Sequence, residues 1–277
     1  MTSKTSRISA LVAAGALVLA LTACGDDDAA DSAGSIDTTQ AAGTTAAPAK
    51  ELPHWTYEGE EGPENWGELA PEYVLCADGS AQTPIDITNT IDADLTDPLF
   101  SYDVNSATVI NNGHTIQANA AEGNTLTVDG VDSPLKQIHF HAPSEHTIDG
   151  ESAAAEVHFV HKTDDGVISV VGVMIVEDAA ANTAWQPYVD AMGTVEGAET
   201  AIELDWAAML PAVHTTYRYS GSLTTPPCTE GVNWFLMTES VSLSADQIAA
   251  ITAAYEGNNR PLQPTNDRKI AMDTTNG

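Results

Sequence analysis

The stretch "QIHFHAPSEH", Gln137 to His146, holds three of the chain's eight histidines and a glutamate. Imidazole and carboxylate groups gathered so densely are the material of metal ligation and proton transfer. In an extended strand, residues i and i+2 share a face, so Gln137, His139 and His141 point one way while Ile138 and Phe140 point the other. A second stretch, "AEVHFVH", puts Glu156, His158 and Val160 on one face and Val157, Phe159 and His161 on the opposite one. One of its two histidines can therefore join His139 and His141, and the other points away. Three neutral imidazoles suit Zn²⁺ and leave a fourth tetrahedral position for water, the arrangement of a catalytic rather than a structural site. Gln137 and Glu156 each precede a histidine by two residues on the same face, where they can accept its second N–H and fix its tautomer. A lone strand histidine is more often an ordinary hydrogen-bonded residue. Recurrence of the histidine and polar-partner pattern on two strands favours metal binding.

The elements that must position these side chains are mostly strands. "ATVINN", "HTIQANA", "NTLTVDG", "LKQIHFHA", "SAAAEVHFVHK", "GVISVVGVMIV", "TTYRYSGSL" and "VNWFLMTESVSL" are short, often alternating, and bounded by Gly, Asn, Asp or Pro. Helical patterning is confined to Ala184–Met192, Asp205–Met209 and Ser244–Tyr255, the last with a cap at Ser244 or Ser242. No internal repeat and no second linker interrupt residues 53–277, which are expected to form one mainly β domain.

The first residues read differently. Lys4 and Arg7 precede the apolar run "ISALVAAGALVLALTA" and then "CGDDD", the charge, apolar stretch and small-residue boundary of a secretory signal at residues 1–23. Leu21, Thr22, Ala23 and Cys24 resemble a bacterial lipobox, in which Cys24 is lipidated; an ordinary secretion signal is the alternative. Residues 24–52 contain no aromatic residue and are expected to form a flexible acidic, Ala- and Thr-rich tether. The formal charge of −31 excludes the basic footprint of nucleic-acid binding. If Cys24 carries lipid, Cys76 and Cys228 remain as a pair in an exported chain, where disulfides persist; two separate buried thiols are the other reading.

"QIHFHAPSEH", "AEVHFVH", "NNGH", "GSLTTPPCTEGVNWFLM" and "NNRPLQPTNDRKI" together resemble, in this order, the α-class carbonic anhydrases over about His54 to Met272. The resemblance implies an α+β roll around a central twisted, mostly antiparallel sheet of about ten strands with short peripheral helices. It implies one Zn²⁺ per chain, held by His139, His141 and His158, and hydration of CO₂ to bicarbonate and a proton by zinc-bound hydroxide. His161 and His146 are then structural. Thr224 and Glu145 match the pair that orients the hydroxide; Val160, Val170, Leu223 and Trp234 match the hydrophobic CO₂ pocket, and Thr225 a bicarbonate-binding neighbour. His114 matches the proton shuttle, with Tyr57 and Asn112 ordering the water path. Cys76 and Cys228 match a family disulfide. The chain departs from many animal members at Ala142 and Lys162, where those carry aromatics, and in shorter loops such as "HAPSEH".

Two other readings compete. His139, His141 and Glu145 also satisfy the HxH-then-Glu pattern of a cupin, but the flanking glycines and second motif of a cupin are missing. A non-catalytic carbonic-anhydrase-like binding protein would typically have lost a zinc histidine, and all three are retained. The expected setting is the extracytoplasmic face of a cell membrane, with CO₂ and bicarbonate as partners. No residue pattern sets the oligomeric state, a homodimer being compatible with it.

Overall fold

Residues 52–274 are described in the computed structural model; the expected signal, Cys24 and almost all of the tether lie outside them. Ten strands form a continuous path. In spatial order they are Glu199–Asp205, Val104–Asn111, Ile116–Ala120, Val131–His141, Ala155–Lys162, Ile168–Asp178, Glu230–Met237, Thr216–Ser222, Ala271–Asp273 and Ile91–Ala93. Leu99–Ser101, Thr125–Val128 and Val241–Ser244 pair off this path, and Asp86–Ile87 pairs with Thr147–Ile148 in a separate ribbon. Most pairings are antiparallel. Ile168–Asp178 is the exception at the centre, running parallel to Glu230–Met237 and to Val241–Ser244.

The sheet separates two cores because side chains alternate across it. Ile138, Phe140, Phe159, Val171 and Val173 enter the larger core, which Trp185, Tyr188 and Trp206 close from outside the central strands. Val170, Trp234 and Leu236 enter a second core on the opposite face with Ile85 and Ile270. Each such side chain contributes about 1.5–3 kcal/mol on burial, so the strands cannot slip register without exposing a whole row.

Most expected elements form within a few residues of their patterns, with instructive exceptions. "VNWFLMTESVSL" is two strands, broken at residues 238–240. Asp205–Met209 is a strand end and a turn rather than a helix: Trp206 and Met209 bury fully into the larger core, so their spacing reflects anchoring and not helical periodicity. Glu199–Asp205 is an edge strand whose pattern was too acidic and exposed to read as a strand. Ala245–Ala254 is the longest helix among the described residues, begun by a reciprocal capping box between Ser244 and Gln247. No helix among the described residues is long and apolar enough to cross a membrane.

His161 faces the larger core, as its place on the strand implies, fully buried and hydrogen-bonded through Nε2 to the Tyr102 hydroxyl. Burial pulls its pKa down from 6.5 to about 3. The folded chain therefore binds fewer protons than the unfolded chain as pH falls from 6.5 toward 3, and stability is lost across that window. His161→Gln, which keeps an acceptor for Tyr102, should flatten the pH dependence of the urea midpoint there by up to about 1.4 kcal/mol per pH unit. Superimposable pH profiles for the two proteins would show that His161 does not carry the effect.

Candidate active site

Antiparallel pairing sets His139 directly opposite His158 and His141 opposite Glu156. The three imidazoles converge, with one nitrogen from each lying within 4.8 Å of the others. Each ring is oriented from behind. His139 Nδ1 donates to Gln137 Oε1 at 2.8 Å, and His158 Nε2 to Glu156 Oε1 at 2.8 Å. His141 Nδ1 donates to the Asn258 carbonyl at 2.6 Å. His139 Nε2, His141 Nε2 and His158 Nδ1 are thereby turned toward one another, and His141 Nε2 is buried with no hydrogen-bond partner. A buried polar atom left this way is costly unless something else binds it, and a three-imidazole donor set fits zinc.

Electrostatics keep the rings in the ligand form. Burial lowers the pKa of all three, that of His141 to about 4, and at His139 the neighbouring His141 and His158 lower it further. Burial alone would raise Glu156, but His146 and His158 take its carboxyl well below the usual range. A second group of candidate donors, His146, Glu156 and His158, is already satisfied internally. Glu156 Oε1 accepts from His146 Nδ1 at 2.7 Å as well as from His158, and His146 Nε2 meets the Tyr219 hydroxyl at 2.5 Å. It supports the first group, and the atoms by which its members meet one another are taken by these bonds, leaving His158 Nδ1 to the first group.

Room for Glu156 depends on a glycine. Gly172 lies opposite His158 in the next strand, and a Cβ there would stand 2.7 Å from Leu236 Cδ1 and 3.0 Å from Glu156 Oε1. Gly172→Ala should cost about 1–3 kcal/mol in overpacking. By shifting Glu156 it should also weaken zinc binding about tenfold. A competition titration with a chromophoric chelator, beside urea unfolding, checks both; unchanged affinity would separate Glu156 from ring orientation.

The remaining expected residues gather around this centre. Glu145 is 2% exposed; its Oε1 accepts from the Arg260 backbone N–H at 2.8 Å, and its Oε2 lies 3.5 Å from His141 Nε2. Burial raises its pKa to about 7, against the opposing pull of His158, the Arg260 N–H and the Thr224 hydroxyl, which places Thr224 beside it. Thr224 is itself buried, in a turn closed by Leu223 N–H to Thr229 O and Cys228 N–H to Thr225 O. Val160, Val170 and Trp234 stand side by side across three strands, with half-buried Leu223 packed against them. Trp234 also meets the His158 ring, their centroids 4.9 Å apart, so an apolar wall adjoins the converging nitrogens.

A cavity of about 130 Å³ runs outward from His139 and His141, lined also by Gln137, Thr225, Asn112, His114, Tyr57 and Trp55. His114 follows a turn in which the Asn112 side chain accepts from the His114 and Thr115 backbone N–H groups, and Gly113 takes φ +90°. Cys76 and Cys228 are joined in a disulfide. The three histidines, Glu145, Thr224 and the cavity-lining residues thus gather in one region, while Cys24, expected as the lipid attachment, lies outside the described residues.

Three contributors escaped the strand-face reading. Asn258 orients His141 with its carbonyl, and its side chain accepts from Ala142 N–H and donates to Phe140 O. Arg260 is 1% exposed and donates to Gln82 Oε1, Thr83 O and Cys76 O while its backbone N–H holds Glu145. Trp55 stacks on His114. Asn258 and Arg260 sit in "NNRPLQPTNDRKI", where the polar density was visible but the long-range partners were not.

Residues 61–274 match the family model described as eukaryotic-type carbonic anhydrase. A carbonic anhydrase of Pectobacterium carotovorum is 43% identical, the match covering 81% of this chain and 93% of that protein. Among solved structures, the α-carbonic anhydrase of Thermovibrio ammonificans, in complex with the inhibitor sulfanilamide, superimposes with a TM-score of 0.76 at 40% identity, over 79% of this chain and 98% of its own. That of Photobacterium profundum gives 0.73 at 43%, over 79% and 100%. With the family model matching most of the chain and relatives above 40% identical over about four fifths of it, the chain belongs to the α-class, eukaryotic-type carbonic anhydrases.

Proposed function

We propose that the chain catalyses the reversible hydration of CO₂ to bicarbonate and a proton with one zinc ion held by His139, His141 and His158. The observation that carries this reading is the convergence of three neutral imidazoles, each fixed from behind, on a buried nitrogen that lacks a partner. Zinc bound there supplies a nucleophile from water at neutral pH. Thr224 donates its hydroxyl hydrogen bond to Glu145, leaving its oxygen only able to accept, and so would select the orientation of a zinc-held oxygen. The bonds that Glu145 receives from the Arg260 N–H and the Thr224 hydroxyl oppose the burial that raises its pKa to about 7, and so keep an ionised acceptor for Thr224 available at neutral pH.

Val160, Val170, Leu223 and Trp234 provide an apolar surface on which CO₂ displaces water at little cost, and Thr225 faces the product from the cavity wall. His114 takes the proton outward, with Tyr57 and Asn112 holding water along the cavity. The chain works outside the cytoplasm, tethered through lipid on Cys24; the disulfide fits an oxidising compartment. Removing zinc with a chelator should abolish stopped-flow CO₂ hydration, and one equivalent of zinc should restore it. Full activity of metal-free protein would remove zinc from this reading, and no hydration above buffer by the zinc-loaded protein would end it and favour a binding role for the fold.

A further inference from the structure

His114 sits in the turn that follows Asn111, the last residue of the strand Val104–Asn111. Asn111 is 5% exposed, and both ends of its side-chain amide are engaged. Its Nδ2 donates to the Gly193 carbonyl at 3.1 Å, and its Oδ1 accepts from the Gly113 N–H at 3.0 Å and from the Tyr255 hydroxyl at 2.5 Å. Tyr255 comes from a different element. It ends the helix Ala245–Ala254, with its backbone N–H on the Ile251 carbonyl and its ring packed against the larger core. Three residues further on, Asn258 Nδ2 donates to the His114 carbonyl at 3.2 Å, while the Asn258 carbonyl accepts from His141 Nδ1. The segment from Tyr255 to Asn258 therefore grips the turn at both ends.

We infer that Tyr255 is a positioning residue for proton transfer: its hydroxyl pins the Asn111 amide, and through the Gly113 N–H it sets where the turn carries His114. The inference rests on the shuttle role proposed for His114. A proton that travels through water depends on the placement of the group that receives it, and a misplacement of about 1 Å can cost a rate up to about 10²-fold.

The surroundings of Tyr255 give the hydroxyl a role that its ring alone lacks. Burial raises its pKa and the Glu196 carboxylate acts in the same direction, against the Asn111 side chain and the Gly113 N–H, so at neutral pH the phenol keeps its proton and donates. Gly113 takes φ +90°, and a Cβ there would stand 3.1 Å from Glu196 Oε1, so the carboxylate hems in the turn from one side. Tyr255→Phe keeps the packed ring and removes the bridge between helix end and turn. Trp55, stacked on the His114 ring at a centroid distance of 3.7 Å, and Asn258 still hold the residue, so the expected loss is partial. The zinc site is spared, because the Asn258 carbonyl continues to orient His141.

The test is CO₂ hydration by the zinc-loaded protein, its Tyr255→Phe and His114→Ala variants and the double variant, in dilute and concentrated buffer. Tyr255→Phe should lower kcat about threefold in dilute buffer and leave kcat/KM unchanged, because proton release limits only the former. Added imidazole should restore kcat, and the substitution should have no further effect in the His114→Ala background. In metal-free protein, the His114 ring proton resonances, assigned by their absence from His114→Ala, should shift or broaden in Tyr255→Phe. A role in stability alone would respond neither to buffer nor to imidazole. If His114→Ala shows a buffer-dependent loss and Tyr255→Phe shows none, if the Tyr255→Phe effect persists without His114, or if the His114 resonances do not change, the positioning role is overturned and the shuttle stands. An equal fall in kcat and kcat/KM would also overturn it, placing the effect at the zinc site. If neither variant depends on buffer, the shuttle reading fails first and this inference with it.

Discussion

His158→Ala is expected to reduce CO₂ hydration to the buffer background and zinc content to a small fraction of an equivalent. Two imidazoles would remain, and the Glu156 carboxylate would stay buried with one donor fewer, held by His146 and the Glu145 backbone N–H. The loss should far exceed the roughly 10–100-fold cost of removing a hydrogen-bond partner of a ligand, so Gln137→Ala is the natural comparison. Metal analysis after gel filtration, paired with stopped-flow hydration, separates a failure to bind zinc from a failure to use it. A His158→Ala protein that retained zinc and turned over normally would remove His158 from the ligand set, whatever its position opposite His139.

Loss of the Cys76–Cys228 disulfide should be the largest single effect on stability. The crosslink closes a separation of 152 residues, for which the chain-entropy account gives up to about 5 kcal/mol. For a domain of this size that corresponds to a fall in Tm of about 10–20 °C. The effect should reach the active site, because both half-cystines feed the same buried node. Arg260 donates to Cys76 O and to Gln82 Oε1, Gln82 Nε2 donates to Cys228 O, and the Arg260 backbone holds Glu145. The guanidinium is buried enough that its pKa falls to about 10, so its hydrogen bonds are hard to replace with water. A Cys76→Ser, Cys228→Ser protein should therefore show a lower kcat at full zinc occupancy, because Thr224 immediately precedes the turn that Cys228 closes onto Thr225. Equal kcat with a reduced Tm would confine the disulfide to stability.

How far the site can be read from the chain depends on the range of the interaction. Strand periodicity alone put His139, His141 and Gln137 on one face, and it left His158 and His161 as alternatives. The register decided between them: His158 falls directly opposite His139, while His161 turns into the larger core against Tyr102. The mistaken helix at Asp205–Met209 and the unread strand Glu199–Asp205 have a common cause. Edge positions and anchored turns are shaped by what they pack against, and their local patterns are weak.

Residue types and spacing by themselves pointed to a histidine group able to hold a metal, to the mainly β architecture and to the two histidine-bearing strands, because imidazole preference and the two-residue strand repeat are local properties. Only the tertiary structure decided that Asn258 orients His141, that Gly172 makes room for Glu156, and that Arg260 ties the disulfide to Glu145. It also set Tyr255 against Asn111. These contacts join segments between 16 and 184 residues apart, where chain closure and packing, and no local pattern, choose the partners.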